Sequence, residues 1–220
     1  MTAGQVDARA AFTTHEGRGV ALRRDQVDTD QIVPAEFCKR LTKTGYADAL
    51  FATWRADPSF VLNRPERAGA SVLVAGRDFG TGSSREHAVW ALRDFGFVAV
   101  IASSFGDIFL RNALQNGVLA VTLPPAAVAE LADTVDADPG ALITVDLARR
   151  ELRSGAQRYG FSIDERTRQL LLRGLDEIAA TLENDAAITL YEGQRRRWLP
   201  TSRRHEDRPH RDASQEEAVN

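Results

Sequence analysis

Three short apolar runs in the middle of the chain constrain the fold more than any other feature. They are "SVLVAG" (71–76), "FVAVIAS" (97–103) and "VLAVTL" (118–123), and a segment with helical spacing of apolar residues separates each run from the next. Short buried strands that alternate with helices form parallel or mixed sheets covered by helices. The middle of the chain therefore predicts an α/β fold.

The segments before these runs also carry strand and helix signals. The apolar residues 20–22 predict a short strand, and the Asp-Thr-Asp stretch that follows predicts a turn. Leu50, Phe51 and Trp54 have helical spacing, and we expect the helix to be broken around Gly45.

The segments after the runs predict further elements. Residues 141–163 are typical of a hairpin that turns at Ser154 and Gly155, and residues 164–185 have a helical pattern divided at Gly174. A short helix is expected between the third apolar run and this hairpin.

Length and charge limit the class of protein. The 220 residues are 43% hydrophobic, with a net charge of −3, which suits one core and gives no global attraction to nucleic acid or an anionic membrane. No apolar run approaches the roughly 20 residues that span a bilayer, and residues 1–19 lack an apolar signal segment. We expect a cytoplasmic protein with a flexible N-terminus (1–18), one domain (19–194) and a disordered tail (195–220).

Cysteine content restricts the metal chemistry. Cys38 is the only cysteine, so the chain cannot supply the roughly four thiolates that hold an iron–sulfur cluster. The residue has no histidine nearby in sequence, which favours an inert, partly buried thiol over a nucleophile.

A glycine- and serine-rich stretch, "GRDFGTGSSREH" (76–87), follows the first apolar run. One explanation is structural: Ser83 and Glu86 fit the S-x-x-E capping box that satisfies free amides at a helix start. This explanation leaves Arg85 and His87 unaccounted for, because cations in a first helical turn oppose the helix dipole.

A second explanation is an anion site. A glycine-rich loop that opens a helix turns backbone amides towards an anionic ligand, and Arg85 can bind a carboxylate through two nitrogens. The hydroxyls of Ser83 and Ser84 and the backbone at Gly80 and Gly82 would then border the ligand. The residues favour a small polycarboxylate or a phosphate, and both explanations stay open at this point.

The glycine spacing Gly76-x-x-x-Gly80-x-Gly82 also matches short-chain dehydrogenases. A nicotinamide site would need an acidic residue at the end of the next strand to bind the ribose. That strand ends in "VIASSFGD", with serines at this place, and the sequence has no Tyr-x-x-x-Lys pair. A dehydrogenase is therefore disfavoured.

Three motifs, in this order, closely resemble the small subunit of 3-isopropylmalate dehydratase, also called isopropylmalate isomerase. They are "VDTDQIVPAEFCKRLTKTGY" (27–46), "GRDFGTGSSREHAVWAL" (76–92) and "SSFGDIFLRNALQNGVLAV" (103–121). The resemblance covers roughly residues 19–193 and implies the swivelling β/β/α domain of the aconitase superfamily, a mixed sheet flanked by helices. Many relatives have cysteine where this chain has Thr81, but that position is not a cluster ligand in the family.

The resemblance implies a two-subunit enzyme. A large subunit would carry a [4Fe–4S] cluster whose open iron acts as a Lewis acid on the substrate hydroxyl, and this chain would be active only with it. The reaction would interconvert 2-isopropylmalate and 3-isopropylmalate through 2-isopropylmaleate, by loss and re-addition of water, in leucine biosynthesis. The expected partners are this large subunit and a small dicarboxylate hydroxy-acid, with no nucleic acid, no membrane and no metal in this chain.

The roles of the loop residues follow from the resemblance. Ser83, the first serine of the Gly-Ser-Ser-Arg motif, would remove the substrate proton as an alkoxide, and Arg85 would stabilise that anion. Ser84 and Gly82 would border the substrate. His87 would either contact the substrate side of the site or support the loop.

Residues outside the loop receive supporting roles, each with a simpler alternative. Asp28 and Asp30 would pair with Arg85 or His87, or would cap their own turn in the manner of Asx residues.

The basic residues near the first motif are expected on a mobile loop. Lys39, Arg40 and Lys43 would meet the second carboxylate when this loop closes, or would form a solvated basic surface. Arg111 and Asn112 are expected to pack within the domain or to face the large subunit.

Two other functions remain open from the sequence. One is the small subunit of a related hydro-lyase that acts on homoaconitate, citraconate or methylmalate. The other is a non-catalytic anion-binding domain that kept the loop for a ligand alone.

Overall fold

The computed structural model describes residues 11–196 and 198 of the chain. Seven strands of the described residues form one mixed sheet, in the order β4-β3-β2-β1-β5-β6-β7. The strands are β1 (Thr14–Leu22), β2 (Val72–Ala75), β3 (Ala99–Ala102), β4 (Leu119–Thr122), β5 (Leu142–Asp146), β6 (Glu151–Ser154) and β7 (Gln157–Gly160). The predicted mixed sheet flanked by helices is confirmed.

Eight α-helices are described. They are α1 (Thr29–Ile32), α2 (Ala52–Arg55), α3 (His87–Phe95), α4 (Asp107–Gln115), α5 (Pro125–Ala137), α6 (Glu165–Arg173), α7 (Glu177–Leu182) and α8 (Asp185–Gln194). Three 3₁₀ turns cover Ala35–Lys39, Val61–Asn63 and Pro65–Arg67. Within the described part of the chain, every helix is too short or too polar to cross a membrane.

The sheet is parallel from β1 to β4 and antiparallel from β1 through β5 and β6 to β7. Strands β2 and β3 are buried on both faces, which explains their continuous apolar sequence. Leu73 and Val100 pack in the core that includes residues of α3 and α4, whereas Val74 and Ile101 pack in the core that includes residues of α5. This alternation follows the two-residue period of a strand.

The carboxyl ends of β1, β2 and β3 lie at the same edge of the sheet because these strands are parallel. The connections that leave this edge span residues 23–28, 76–86 and 103–106. Ligands of open α/β sheets bind outside the carboxyl ends of the strands, so the glycine- and serine-rich stretch lies at the edge where a site is expected.

The first strand begins earlier than predicted. Thr14–Arg18 belong to β1 and pair with β5 in antiparallel register, although the sequence assigned residues 1–18 to a flexible N-terminus. These residues are polar and partly exposed, so no apolar run in the sequence indicates a strand here. Backbone pairing with β5 is what stabilises them in the strand. Residues 1–10 lie outside the described part of the chain.

Along the sequence the chain divides into two compact units between Ala180 and Thr181, and α8 belongs to the second unit. The assignment of residues 19–194 to one domain stays a prediction. The predicted disordered tail, 195–220, lies outside the described residues apart from positions 195, 196 and 198.

Two local predictions are corrected by turns with left-handed backbone. The predicted hairpin is a three-stranded meander, because a first turn at Leu147–Arg150 precedes the expected one at Gly155, and Arg150 has a φ of 56°. The predicted helix around Leu50 is reduced to α2, because Phe51 just before it has a φ of 47°.

Candidate active site

The loop of residues 76–86, here called the serine loop, is fixed by backbone hydrogen bonds to both neighbouring connections. On one side the Gly80 amide donates to the Val27 carbonyl at 2.7 Å. On the other side the Phe79 amide donates to the Ser104 carbonyl at 3.1 Å, and the Gly106 amide donates to the Phe79 carbonyl at 2.9 Å. The middle of the loop is therefore held like a short extra strand at the edge of the sheet.

Gly80 is required at its position by both conformation and space. Its φ is 75°, and a Cβ atom built on it would lie 2.2 Å from Cγ of Phe109. The neighbouring Phe79 is fully buried and packs edge-on against Phe109 at 5.3 Å between ring centroids. The buried ring anchors the loop to α4.

Ser83 and Ser84 are exposed at the outer part of the serine loop. The Ser83 Oγ lies 2.8 Å from the Oγ1 of Thr29, a residue that is only 1% exposed. Gly82, just before Ser83, has a φ of 91°, a conformation that glycine adopts without strain. The buried hydroxyl of Thr29 therefore contacts the hydroxyl of Ser83, while Ser84 beside it is also exposed.

The capping box, one of the two explanations of this stretch, is not formed by Ser83 and Glu86. Helix α3 begins at His87, and its N-cap residue Glu86 makes no side-chain capping bond. The Glu86 carboxylate accepts instead from Nδ2 of Asn116 at 2.8 Å, and the Ser83 hydroxyl bonds to Thr29. Both side chains find distant partners, so the structural explanation of the stretch fails for the two residues it covered.

For the two aspartates of the first motif, pairing with Arg85 or His87 and capping of their own turn were both left open, and the structure shows one of each. Asp30 forms an ion pair with Arg85. Asp28 caps α1, because its Oδ1 accepts from the Gln31 amide at 2.7 Å and the Gln31 side chain accepts from the Asp28 amide at 2.9 Å. The positive charge of Arg85, for which the anion-site explanation supplied a ligand, thus has the carboxylate of Asp30 beside it.

His87 is half-buried and packs among aromatic rings. Its ring centroid lies 5.5 Å from that of Tyr46 and 4.8 Å from that of Trp90. Its Nδ1 is buried and has no hydrogen-bond partner among the described residues. His87 therefore links α3 to the segment that carries the predicted mobile loop.

That segment, residues 39–46, is here called the basic loop. Arg40 binds the carboxylate of Asp48 at 2.8 and 2.7 Å, and this hydrogen-bonded pairing lowers the pKa of Asp48 and raises that of Arg40. The guanidinium also lies over the Tyr46 ring at 5.4 Å. Lys39 and Lys43 are exposed, so they are freer than Arg40 to meet a ligand.

Other side chains hold the end of the basic loop against α3. The Asp94 carboxylate accepts from the Gly45 amide at 2.7 Å and from the Tyr46 amide at 3.0 Å. The guanidinium of Arg93 donates to the Lys43 carbonyl at 2.7 Å.

A cleft of about 420 Å³ lies beside the basic loop. Its polar lining includes Lys43, Glu86, Arg111 and Asn116, and leucines of α6 provide apolar lining. Arg111 is exposed, whereas Asn112 is half-buried and its backbone carbonyl accepts from Nδ2 of Asn116 at 2.9 Å.

The structure adds site residues that sequence reasoning missed. Thr29 lies between two aspartates that the sequence did single out, but its contact with Ser83 spans 54 positions. Asn116 joins Glu86 to the Trp90 indole, which donates to its Oδ1 at 3.1 Å. No local pattern reveals such contacts, because they join residues far apart in sequence that only the tertiary fold brings together.

An iron–sulfur cluster does not fit the residues of this chain. Cys38 is the only cysteine of the sequence, and it packs half-buried against the core as predicted. Within the described residues no three His, Cys, Asp or Glu side chains come together as they would around a metal ion.

Comparisons with known proteins agree with these features. The model of the aconitase C-terminal domain family matches residues 9–126. The 3-isopropylmalate dehydratase small subunit of Acidothermus cellulolyticus is 59% identical, over 87% of this chain and 98% of that relative. The same subunit of Streptomyces coelicolor is 56% identical, over 86% of this chain and 96% of its own.

A solved structure shares the fold. The crystal structure of a 3-isopropylmalate dehydratase from Methanocaldococcus jannaschii is similar with a TM-score of 0.60 and 28% sequence identity, over 82% of this chain and 99% of that one. The swivelling α/β fold of the aconitase superfamily implied by the three motifs is confirmed. The chain belongs to the family of 3-isopropylmalate dehydratase small subunits.

Proposed function

We propose that this chain is the small subunit of a 3-isopropylmalate dehydratase and that it supplies the proton-abstracting base of a site shared with a large subunit. The observation that carries the proposal is the placement of Ser83. Ser83 is exposed on the serine loop, whose backbone is bonded on both sides at residues 79–81, and Arg85 follows two residues later. A reacting group needs such a fixed support to be held in line with its substrate.

The chemistry requires a strong base. The proton that leaves either isopropylmalate lies on a carbon next to a carboxylate and is very weakly acidic. Ser83, as an alkoxide, takes this proton on Oγ, the electron pair of the C–H bond forms the C=C bond of 2-isopropylmaleate, and the hydroxyl group leaves from the adjacent carbon. Re-addition of water in the opposite sense, with Ser83 returning the proton, gives the other isomer.

We assign Arg85 to the binding of a substrate carboxylate beside Ser83. Its guanidinium has five N–H donors, so the ion pair with Asp30 leaves donors for a second carboxylate. The ion pair with Asp30 also restrains the Arg85 guanidinium before substrate arrives. Ser84 and the backbone of Gly82 border the same position, and His87 supports it from α3.

Lys39 and Lys43 are the residues we assign to the second carboxylate. Both are exposed, whereas Arg40 is engaged by Asp48 and serves mainly to shape the basic loop. Closure of this loop over the substrate would bring their charges towards it.

The large subunit completes the site in this proposal. The [4Fe–4S] cluster is assigned to that subunit, because the residues of this chain do not fit one. Departure of the substrate hydroxyl is then the task of the large subunit, and this chain alone is inactive. The pathway is leucine biosynthesis, and we expect the pair to work in the cytoplasm.

The test is hydration of 2-isopropylmaleate by this chain alone, by the large subunit alone and by the pair reconstituted anaerobically. The proposal expects turnover only by the pair. Citraconate and the unsaturated intermediate of homoaconitase are assayed in parallel, and faster turnover of either would replace the substrate assignment. Stable association with a cluster-loaded partner that yields no turnover of any of the three would contradict the enzyme function and favour an anion-binding domain.

A further inference from the structure

The side chain of Thr29 lies within hydrogen-bond distance of the Ser83 hydroxyl. The two hydroxyl oxygens of Thr29 and Ser83 are 2.8 Å apart, a normal hydrogen-bond distance between hydroxyl groups. The same Thr29 Oγ1 lies 3.4 Å from the backbone carbonyl oxygen of Ser83. Thr29 therefore has two acceptors on one residue, and its single proton can serve only one of them at a time.

The backbone around Thr29 fixes this geometry. The Thr29 amide donates to the Thr81 carbonyl at 3.0 Å, and its own carbonyl accepts from the Val33 amide at 2.9 Å. The capping box of Asp28 and Gln31 closes the turn around it. The hydroxyl of Thr29 is consequently held in place by both the serine loop and α1, and the residue is 1% exposed.

The protonation state of Ser83 decides which way the hydrogen bond runs. A neutral serine can donate to Thr29, whose own proton then points to the Ser83 carbonyl. A serine alkoxide can only accept, so the Thr29 hydroxyl must turn to donate to Oγ. A donor that is buried and already in place stabilises a charged acceptor more than a donor in water does.

We propose that Thr29 is a positioning residue for the reaction, which donates a hydrogen bond to the alkoxide form of Ser83 and thereby lowers the proton affinity of that serine. The inference rests on the proposed function, because it requires Ser83 to be the base. Thr29 does not touch substrate, and its effect passes through Ser83 alone.

The experiment compares variants in the reconstituted two-subunit enzyme. Thr29→Val removes the hydroxyl and keeps the shape, Thr29→Ser keeps the hydroxyl, and Thr134→Val is the matched control on α5, where the threonine hydroxyl bonds to the Glu130 carbonyl away from the site. Assembly with the large subunit is verified for each variant before kinetics are measured.

The expected loss for Thr29→Val is about 10- to 100-fold in kcat, with KM changed less than threefold. The reason is that the hydrogen bond from Thr29 stabilises Ser83 only when the serine is charged, which affects the reaction step and not substrate binding. The rise of kcat with pH is expected to shift to higher pH by about one to two units, because Ser83 becomes harder to ionise. Thr29→Ser is expected to restore kcat to within about threefold, and Thr134→Val to match the unmodified enzyme. A purely structural role would not move the pH profile.

A second comparison separates this inference from the proposed function. In the Ser83→Ala background, Thr29→Val is expected to cause no further loss, since its target is gone. If Ser83→Ala is inactive but Thr29→Val has unchanged kcat and pH profile, the role of Thr29 is refuted and Ser83 remains the base. If Ser83→Ala keeps full turnover, the base assignment itself is refuted, and the role of Thr29 with it.

Discussion

The serine loop and the basic loop flank the same region but are held in different ways. The serine loop is fixed by backbone hydrogen bonds to two neighbouring connections and by the buried ring of Phe79. The basic loop is held by side chains. Arg40 forms an ion pair with Asp48, and the Asp94 carboxylate accepts hydrogen bonds from the backbone amides of Gly45 and Tyr46. Between these contacts its tip is exposed, and Leu41 is fully accessible to solvent.

This difference separates two tasks. Backbone bonds on both sides leave a loop few ways to move, which suits a group that must meet one carbon atom in one orientation. The ion pair of Arg40 with the exposed Asp48 is of the weak kind that exchanges with water, which suits a segment that opens for substrate and closes over it.

Removal of the Ser83 hydroxyl should have the largest effect on turnover. Ser83→Ala is expected to lower kcat of the reconstituted pair by about 10²- to 10⁴-fold, the usual contribution of a proton-transferring side chain. Assembly should be unchanged, because the backbone hydrogen bonds that fix the serine loop do not involve the Ser83 side chain. The control is Ser59→Ala, in an exposed turn where the hydroxyl bonds to Asp57. Equal turnover of the two variants would contradict the role of Ser83.

A methyl group at Gly80 should destabilise the serine loop strongly. Gly80→Ala places a Cβ 2.2 Å from Cγ of Phe109 at a φ of 75°, and is expected to lower the free energy of unfolding by about 2–4 kcal/mol in urea titrations. Gly45→Ala in the basic loop is the matched control, because its φ is 88° but no atom lies within 4 Å of the added Cβ. It should cost roughly 1 kcal/mol. Similar losses for both variants would remove the distinction between the loops.

The side-chain anchoring of the basic loop can be weakened without touching the serine loop. Asp94→Asn replaces a charged acceptor of the Gly45 and Tyr46 amides by a neutral one, so hydrogen exchange of these amides should quicken by about tenfold. The amides of Phe79 and Gly80 should exchange as before. Faster exchange in both loops would indicate that they open as one unit.

The smallest effect concerns the ion pair of Arg40 and Asp48. Its hydrogen bonds lower the pKa of Asp48 in the folded protein, so the pair stabilises the fold above the unfolded pKa and loses this effect as pH falls through the folded pKa. Asp48→Asn should therefore lower the urea midpoint slightly at pH 6, and the difference should close below about pH 4. A difference that persists in acid would contradict the ion pair as its source.

The sequence predicted those parts of the fold that local patterns govern. The continuous apolar runs located β2, β3 and β4, and Gly174 divided the helical segment as expected, with a φ of 65°. The polar start of β1 was missed, because its pairing with β5 joins residues far apart in the chain.

The same limit applies to the site. The three motifs identified the serine loop, and the sequence allowed for a pair between Arg85 and an aspartate of the first motif. It did not show that Asp30 is the partner, that Glu86 turns to Asn116 instead of capping α3, or that Thr29 meets Ser83. These contacts join residues that lie 30 to 55 positions apart in sequence and are brought together only by the tertiary fold.

Above all, we propose that the serine loop holds Ser83 in position before substrate binds. The most direct measurement is a crystal structure of the two-subunit enzyme with a bound dicarboxylate substrate or inhibitor. We expect Ser83 Oγ to lie about 3–3.5 Å from the carbon that exchanges the proton, with Thr29 still bonded to Ser83 and the basic loop moved. A Ser83 hydroxyl that points away from this carbon, or a serine loop rebuilt by binding, would contradict it.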